Sequence, residues 1–302
     1  MKSVKLVIFL HLVALVFVAG YGQQPPAALR VVSLHTVLTE IAREIGGAQV
    51  QVTGLVRPGA DPHLFEPSPA DMRRLGEADL VLAGGLGLET YLPRLAAEIA
   101  PGRLIEVGAR LSDPLKGLSA HRSDESPVSD EYDPHWWQGI GQVLVAVSIV
   151  EQEMSRCRPA FATEYAGNAT AYRARLTALQ AWADAEVNQL PAARRQLVTT
   201  HDAFGYFARE HGFTVHPLLG LSTADDANAK HVASIIDLIR LHHIKAVFAE
   251  GSSNPRLIEA IVRETPAKLG GSLYADGLGV TEATTYEAMI RHNITAIVAA
   301  LR

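Results

Sequence analysis

Three histidines and one aspartate lie at positions where they could bind a metal ion together. His63 lies in "DPHLFEPSPAD", where prolines restrict the backbone on both sides of the imidazole, and His135 lies in a second Asp-Pro-His, "DPHWW". His201 follows the apolar run "QLVTT", and Asp276 follows "GSLYA". Three imidazoles and one carboxylate suit a borderline metal ion, zinc above all, without any thiolate.

Each of these residues alone has a simpler explanation, because a histidine at the end of a strand more often makes a hydrogen bond than binds metal. The repeated Asp-Pro-His argues against that explanation, since packing does not readily account for two imidazoles presented separately on stiff backbone. A zinc-dependent hydrolase is the rival hypothesis, because three histidines and a zinc-bound water can make a nucleophile. The sequence contains no HEXXH motif and no obvious general base beside these residues.

Strand-like apolar runs alternate with helical patterns in both halves of the chain. The strand-like runs are "LRVVSLH", "VQVTGLV", "DLVLAGG" and "RLIEVG" in the first half, and "QLVTTH", "TVHPLLG", "AVFAEG" and "GSLYADG" in the second. This alternation predicts an α/β fold of two similar lobes, each with a mostly parallel four-stranded sheet and flanking helices. The four candidate ligands would then lie at or beyond carboxyl ends of strands, where such sheets bind ligands.

A long helical pattern separates the two halves. Apolar residues recur at helical spacing through residues 158–191, with prolines only near the two ends, at Pro159 and Pro191. We therefore expect an amino-terminal lobe at 23–157, one long rigid connecting helix at 158–191 and a carboxyl-terminal lobe at 192–302. The alternative is an ordinary helix broken at Gly167.

The first residues have the pattern of a secretory signal peptide, which we place at residues 1–22. Lys2 and Lys5 precede an apolar run over residues 6–19, which is short for a membrane span; an uncleaved anchor is the alternative. Cys157 is the only cysteine, so the chain can form neither an internal disulfide nor a thiolate cluster, and the signal region has no cysteine for lipid attachment. The net charge of −5 without a basic cluster argues against nucleic acid as a partner.

Six motifs in order resemble the metal-binding subunits of zinc and manganese ABC importers, the periplasmic solute-binding proteins of cluster A-I. They are "DPHLFEPSPAD", "GLGLE", "DPHWW", "THDAFGYFARE", "FAEGSSNP" and "LYADGLG". The resemblance covers essentially the whole mature chain and implies two α/β lobes joined by one long helix, with the metal in the cleft. By motif, the family's ligands fall on His63, His135, His201 and Asp276. The resemblance also implies a monomeric periplasmic protein that is not an enzyme. Such a protein carries one ion per chain to a membrane permease.

Two departures from the family pattern concern the metal and its delivery. Manganese members typically have a glutamate as the third ligand, whereas this chain has His201, so we expect Zn2+ rather than Mn2+. Many zinc members have a histidine-rich loop before the second histidine. Here the polar segment 118–134 reads as a mobile acidic surface loop with only His121, so loading would depend on carboxylates or on a periplasmic metallochaperone.

Other polar residues have competing explanations. We expect His35 to have a hydrogen-bonded structural role, with support of the site as the alternative. His242 and His243 read as a solvated helix end. Glu66 and Glu250 could each either orient an imidazole or form a local cap or salt bridge. The stretch "AGGLGLE" lacks the lysine of a phosphate-binding loop, and we discount it.

Overall fold

The structure is a computed structural model that describes residues 28–118, 128–251 and 256–302. The amino-terminal lobe contains a parallel sheet in the order β2-β1-β3-β4. Its strands are β1 (Leu29–Ser33), β2 (Val50–Gly54), β3 (Leu80–Ala83) and β4 (Leu104–Glu106). They are connected by the helices α1 (Thr36–Gly46), α2 (Pro69–Glu77) and α3 (Leu92–Ala96). The central strands are almost wholly buried, as expected for a parallel sheet covered on both faces.

Local sequence signals fix where α1 and α2 begin. The ring of His35 caps α1 by accepting a hydrogen bond from the backbone N–H of Val37. Ser68 and Asp71 form a reciprocal capping box at α2, and Pro69 occupies its first turn. The loop that carries His63 is therefore bounded by β2 on one side and by a firmly capped helix on the other.

A two-stranded antiparallel hairpin follows the first sheet and corrects one prediction. It pairs β5 (Lys116–Leu118) with β6 (Val128–Tyr132), and the Lys116 ammonium lies 3.8 Å from the centre of the Tyr132 ring. The expectation of a loop throughout 118–134 is therefore wrong for residues 128–132, because cross-strand pairing overrides their polar composition. The acidic stretch 119–127 and the predicted signal peptide lie outside the described residues.

The connecting helix is continuous. After α4 (Ile140–Cys157) and a 3-10 turn at Pro159–Phe161, α5 runs from Ala162 to Val187, so the alternative of a break at Gly167 is wrong. Its buried residues recur every three or four positions: Tyr165, Ala169, Tyr172, Leu176, Leu179, Ala183 and Val187. This stripe packs against α1 and α4 of the first lobe and against α9 (Tyr286–Leu301), which covers the second sheet.

The carboxyl-terminal lobe repeats the topology of the first. Its parallel strands are β7 (Gln196–Thr199), β8 (Thr214–Pro217), β9 (Ala246–Glu250) and β10 (Lys268–Leu273), in the order β10-β9-β7-β8. The helices α6 (Gly205–His211), α7 (Ala229–His242) and α8 (Arg256–Glu264) lie between them along the chain. All eight predicted strands are present, and the prediction of two similar α/β lobes joined by a long helix is confirmed.

One apolar core runs through both lobes. Its buried side chains come from β1, from the 3-10 turn at Trp136–Gln138, from α5 and from α9. Two smaller clusters cover the outer faces of the two sheets. The lobes therefore pack through a common interior, which limits how far one can move against the other. Among the described residues, no helix combines the length and hydropathy needed to cross a bilayer.

Candidate metal centre

The four predicted ligands converge at the junction of the two lobes. His63 lies in the loop between β2 and α2, and His135 lies between β6 and α4. His201 and Asp276 each follow a strand of the second sheet, at the carboxyl ends of β7 and β10. One potential ligand atom from each side chain lies within 4.8 Å of those from the other three. Residues more than 200 positions apart in sequence thus meet at one point.

The distances between these atoms match a small tetrahedral ion. Nε2 of His135 lies 3.1 Å from Nε2 of His63 and 3.3 Å from Nε2 of His201. Oδ1 of Asp276 lies 3.5, 3.6 and 3.1 Å from Nε2 of His63, His135 and His201, respectively. Ligands bonded at about 2.0–2.1 Å to a tetrahedral ion stand about 3.3–3.4 Å apart. An ion at the centre of the four atoms would therefore need little rearrangement of the side chains.

Asp133 holds the backbone and the ring of His135. Its Oδ1 accepts from the backbone N–H of His135 at 2.8 Å and from the ring Nδ1–H at 2.8 Å, which leaves Nε2 for an ion. Burial raises the pKa of Asp133 to about 7. Asp133 does not cap α4, because a 3-10 turn at Trp136–Gln138 intervenes and α4 begins only at Ile140.

Glu250 performs the corresponding role for His201. Its Oε2 accepts a hydrogen bond from Nδ1–H of His201. Its Oε1 accepts from the backbone N–H groups of Thr200 at 3.0 Å and His201 at 3.3 Å. Glu250 therefore orients an imidazole, one of the two alternatives that the sequence left open. Glu66, for which the sequence left the same alternatives, is exposed.

The backbone around Asp276 is held by residues of the first lobe. His35 donates from Nε2–H to the Asp276 carbonyl at 3.0 Å. The Trp137 indole and the Gln138 amide donate to the Ala275 carbonyl at 2.8 and 2.7 Å. The hydrogen-bonded role expected for His35 is thus present, and through the Asp276 carbonyl it also supports the candidate site. Sequence reasoning missed Trp137 and Gln138, because nothing in "HWWQG" shows which strand end these side chains reach.

The pKa values of His135 and His201 are shifted in opposite directions. Burial, together with the neighbouring His201 and His63, lowers the pKa of His135 well below its ordinary value. Burial would also lower the pKa of His201, but Glu250 and Asp276 on either side raise it well above 6.5. Burial would raise the pKa of Asp276, but His201 and His63 hold it well below its usual range. The position of His201 between two carboxylates therefore favours the doubly protonated, charged form of its imidazole.

The other residues singled out in the sequence lie outside the candidate metal centre. His242 and His243 are exposed at the end of α7, as expected. The "AGGLGLE" turn is closed by its own glutamate, because Glu89 accepts from the backbone N–H groups of Gly84 and Gly85 at 2.7 and 3.0 Å. These amides are therefore committed within the turn, consistent with discounting a phosphate-binding loop. His121 lies outside the described residues.

Comparison with known proteins gives the family. The family model ZnuA, whose description is "Zinc-uptake complex component A periplasmic", matches residues 31–300 of this chain. The chain belongs to this family. The family assignment makes it a metal-binding substrate-binding protein of an ABC transporter, and it agrees with the resemblance noted in the sequence.

Individual relatives of this ZnuA-family chain carry different metals in their names. It is 36% identical to the manganese-binding lipoprotein MntA of Bacillus subtilis, over 93% of this chain and 92% of that protein. It is 33% identical to the zinc-binding protein TroA of Treponema pallidum, over 94% of each. The solved structure of that TroA superposes with a TM-score of 0.81, covering 91% of this chain and 99% of the other. The iron-binding protein YfeA of Yersinia pestis is 29% identical, over 89% of this chain and 85% of its own length.

Proposed function

We propose that this chain is an exported zinc-binding protein that delivers Zn2+ to the permease of an ABC importer. His63, His135, His201 and Asp276 are its ligands, and one ion is bound per chain. The observation that carries the proposal is the convergence of these four side chains, with five of their six ligand-atom separations between 3.1 and 3.6 Å. The separation between the ligand atoms of His63 and His201 is within 4.8 Å.

The donor set favours zinc over harder ions. Three neutral imidazole nitrogens and one carboxylate oxygen suit zinc, whereas manganese prefers carboxylate, carbonyl and water oxygens in octahedral arrangements. The carboxylates of Asp133 and Glu250 accept from the histidine rings and so make their Nε2 atoms better donors. Asp133 and Glu250 are not themselves proposed as ligands, so the donor set remains three imidazoles and one carboxylate.

Manganese is the second candidate, because MntA, a relative at 36% identity over most of both chains, is named for that ion. A manganese site at these residues would have to accept three nitrogen ligands and recruit further oxygen ligands. The proposed set contains only one carboxylate, Asp276, so the further oxygen ligands would have to come mainly from outside it. Measurement of the affinities for both ions therefore decides between the two candidates.

We propose a binding role rather than catalysis at this centre. A catalytic zinc usually retains a position for water, whereas Asp276 supplies a fourth protein ligand. The candidate ligands are also enclosed, since the side chains of His135 and His201 are 0% exposed and those of His63 and Asp276 are 7% and 6% exposed. A substrate could reach the ion only if the site opened.

The proposed cellular context follows from the predicted signal peptide at residues 1–22 and from the family. After removal of this peptide, the mature monomer would work in the periplasm. Its first lobe would end near residue 157, and its connecting helix would end near residue 191. Its partners would be the membrane permease and a zinc metallochaperone. N-terminal sequencing of the exported chain tests the predicted cleavage.

Native mass spectrometry combined with elemental analysis tests the proposed function directly. The mature chain is purified without added metal, loaded with equal concentrations of Zn2+ and Mn2+, and compared with His135→Ala. We expect one zinc per wild-type chain and none retained by the variant. One tightly held manganese with zinc excluded would assign the second candidate, and equal retention by the variant would show that His135 is not a ligand.

A further inference from the structure

We propose that a hydrogen bond between Asp61 and Thr223, which joins the two lobes beside the metal centre, controls how fast the ion leaves. Neither residue is among the proposed ligands. Asp61 is a positioning residue that acts on His63, so the inference rests on the proposed function in which His63 binds the ion. The two side chains lie 162 positions apart in sequence and meet across the cleft.

His63 has a different structural setting from the other proposed ligands. It lies in the segment 55–68, which contains no helix or strand, and residues 57–60 are exposed. The neighbouring Leu64 side chain is 62% exposed. His201 and Asp276, in contrast, follow strands of the second sheet, and His135 is fully buried. Exposed loops open locally at lower free-energy cost than packed strand ends, so His63 is the ligand best placed to move away first.

Asp61 connects the backbone of His63 to the second lobe. Its Oδ1 accepts from the His63 backbone N–H at 2.8 Å, and its Oδ2 accepts from the hydroxyl of Thr223 at 2.5 Å. The segment that contains Thr223 is itself held, because Asp225 accepts from the backbone N–H of Ser222 at 3.1 Å. A movement of the His63 loop away from the centre must therefore break the bond to Thr223 or distort the turn at Asp61.

The two Asp-Pro-His motifs hold their histidines in different ways. In both, the aspartate accepts from the backbone N–H of the histidine two residues later at 2.8 Å. In the second motif, Asp133 also accepts from the imidazole of His135 within the same motif. In the first motif, the second oxygen of Asp61 accepts from the hydroxyl of Thr223. The first motif thus ties its histidine to the opposite lobe.

The surroundings of this contact give solvent a path to it. A cavity of about 610 Å³ is bordered by Asp61, Leu64 and Thr223. The Gly59 backbone N–H of the same loop donates to the Leu278 carbonyl of the second lobe at 2.8 Å. That bond involves only backbone atoms. Thr223 is therefore the position at which a side-chain substitution can loosen the loop without changing a ligand.

The test is the rate of zinc release from Thr223→Val, which keeps the shape of the side chain and removes the hydroxyl. Zinc-loaded protein is mixed with an excess of a chromogenic chelator in a stopped-flow instrument, and the absorbance of the zinc complex is followed. We expect release about tenfold faster than from the wild type, with one zinc still bound per chain, because one hydrogen bond to a carboxylate is lost. Thr223→Ser, which retains the hydroxyl, should release zinc at the wild-type rate.

A double-mutant cycle connects the effect to Asp61. If both residues act through one contact, Asp61→Ala combined with Thr223→Val should release zinc no faster than Asp61→Ala alone. The melting temperatures of the zinc-free variants establish that each is folded. An unchanged rate in Thr223→Val, or an equal acceleration in Thr223→Ser, would overturn the inference while leaving the metal centre intact. A wild-type chain that binds no zinc would overturn both.

Discussion

Each fully buried histidine of the proposed centre uses its second ring nitrogen to bind a carboxyl group. For His201 the partner is Glu250, which also accepts from two backbone N–H groups. Such a partner fixes the tautomer and the rotation of the ring, and it increases the donor strength of the nitrogen that faces the ion. We therefore expect the zinc affinity of the proposed site to depend on residues that do not contact the ion.

Glu250→Gln should weaken zinc binding by about 10- to 100-fold. The glutamine amide has no negative charge, and it has one acceptor oxygen where the carboxylate uses two. The matched control is Glu66→Gln, the same substitution at an exposed glutamate near His63 in sequence. Competition against a chelator of known affinity gives both dissociation constants. Equal constants for the two variants would show that Glu250 does not support the site.

Zinc binding should release about one proton near pH 7. The pKa of His201 is raised well above 6.5, so this imidazole is protonated in the ion-free protein and must lose its Nε2 proton to zinc. The pKa of His135 and that of Asp276 are lowered, so His135 is already neutral and Asp276 already ionised. Affinity should therefore fall as the pH falls, by about tenfold per pH unit while one proton is displaced.

Calorimetric titration in buffers of different ionisation enthalpy measures this proton release. Glu250→Gln removes a carboxylate that favours protonated His201, so the variant should release fewer protons per zinc at the same pH. An observed enthalpy independent of the buffer would contradict the assignment of a charged His201 in the ion-free protein.

At the scale of elements, two glycines in helices differ in whether they can accept a side chain. A methyl group added at Gly167, in the interior of α5, would meet no atom within 4 Å other than the adjoining backbone of its own helix. One added at Gly205, the first residue of α6, would lie 2.6 Å from Oδ2 of Asp133. The first glycine is therefore unconstrained by packing, whereas the second leaves room for the residue that orients His135.

Gly167→Ala should stabilise the chain by about 0.5–1 kcal/mol, since alanine loses less backbone entropy in a helix. Gly205→Ala should destabilise it and weaken zinc binding, because Asp133 has to move. Denaturant unfolding and zinc titration of the two variants provide the comparison. A destabilised Gly167→Ala would indicate that α5 is not the regular continuous helix described above.

The acidic segment between β5 and β6 should affect loading more than affinity. The hairpin that flanks this segment is anchored near the site, since the Leu118 backbone N–H donates to Asp202 at 2.5 Å and the Asp133 N–H donates to the Leu115 carbonyl at 2.9 Å. Replacing residues 119–127 with a short Gly/Ser linker leaves these contacts and all four proposed ligands in place. Zinc affinity should then change by less than about threefold, while transfer from a zinc donor slows.

Rates and dissociation constants measured on the same preparation separate these effects. A large loss of affinity in the linker variant would mean that residues 119–127 supply a ligand, which would contradict the four-residue site.

The elements that the sequence predicted well are those with strong local signals. Val/Leu/Ile runs such as "DLVLAGG" identify buried parallel strands, and the apolar period between Tyr165 and Val187 identifies α5. The strand β6 was missed because "VSDEY" has the composition of a loop and becomes a strand only by pairing with β5. Its secondary structure depends on a partner and not on its own residues.

At the scale of the whole molecule, the proposed site is built from contacts that cross the lobe boundary. Trp137 and Gln138 of the first lobe bind the Ala275 carbonyl beside Asp276, and Glu210 of the second lobe accepts from the N–H groups of Ile140 and Gly141 at the start of α4. With a core common to both lobes, these contacts hold three of the four proposed ligands in a nearly fixed frame.

These cross-lobe contacts also mark the limit of what the sequence could predict. The candidate ligands could be predicted because two Asp-Pro-His motifs and two strand ends carry metal-binding residue types, and because the motifs resemble a known family. Nothing local indicates that Asp61 meets Thr223 or that Gln138 reaches Ala275. Such pairs depend on how the two lobes are placed against each other.

The crystal structure of the mature chain loaded with zinc tests the central claim most directly, with anomalous scattering at the zinc edge to identify the ion. We expect one zinc bound by Nε2 of His63, His135 and His201 and by a carboxylate oxygen of Asp276, at about 2.0–2.2 Å. A zinc bound by three histidines and a water with Asp276 turned away, or an ion located elsewhere, would contradict the account.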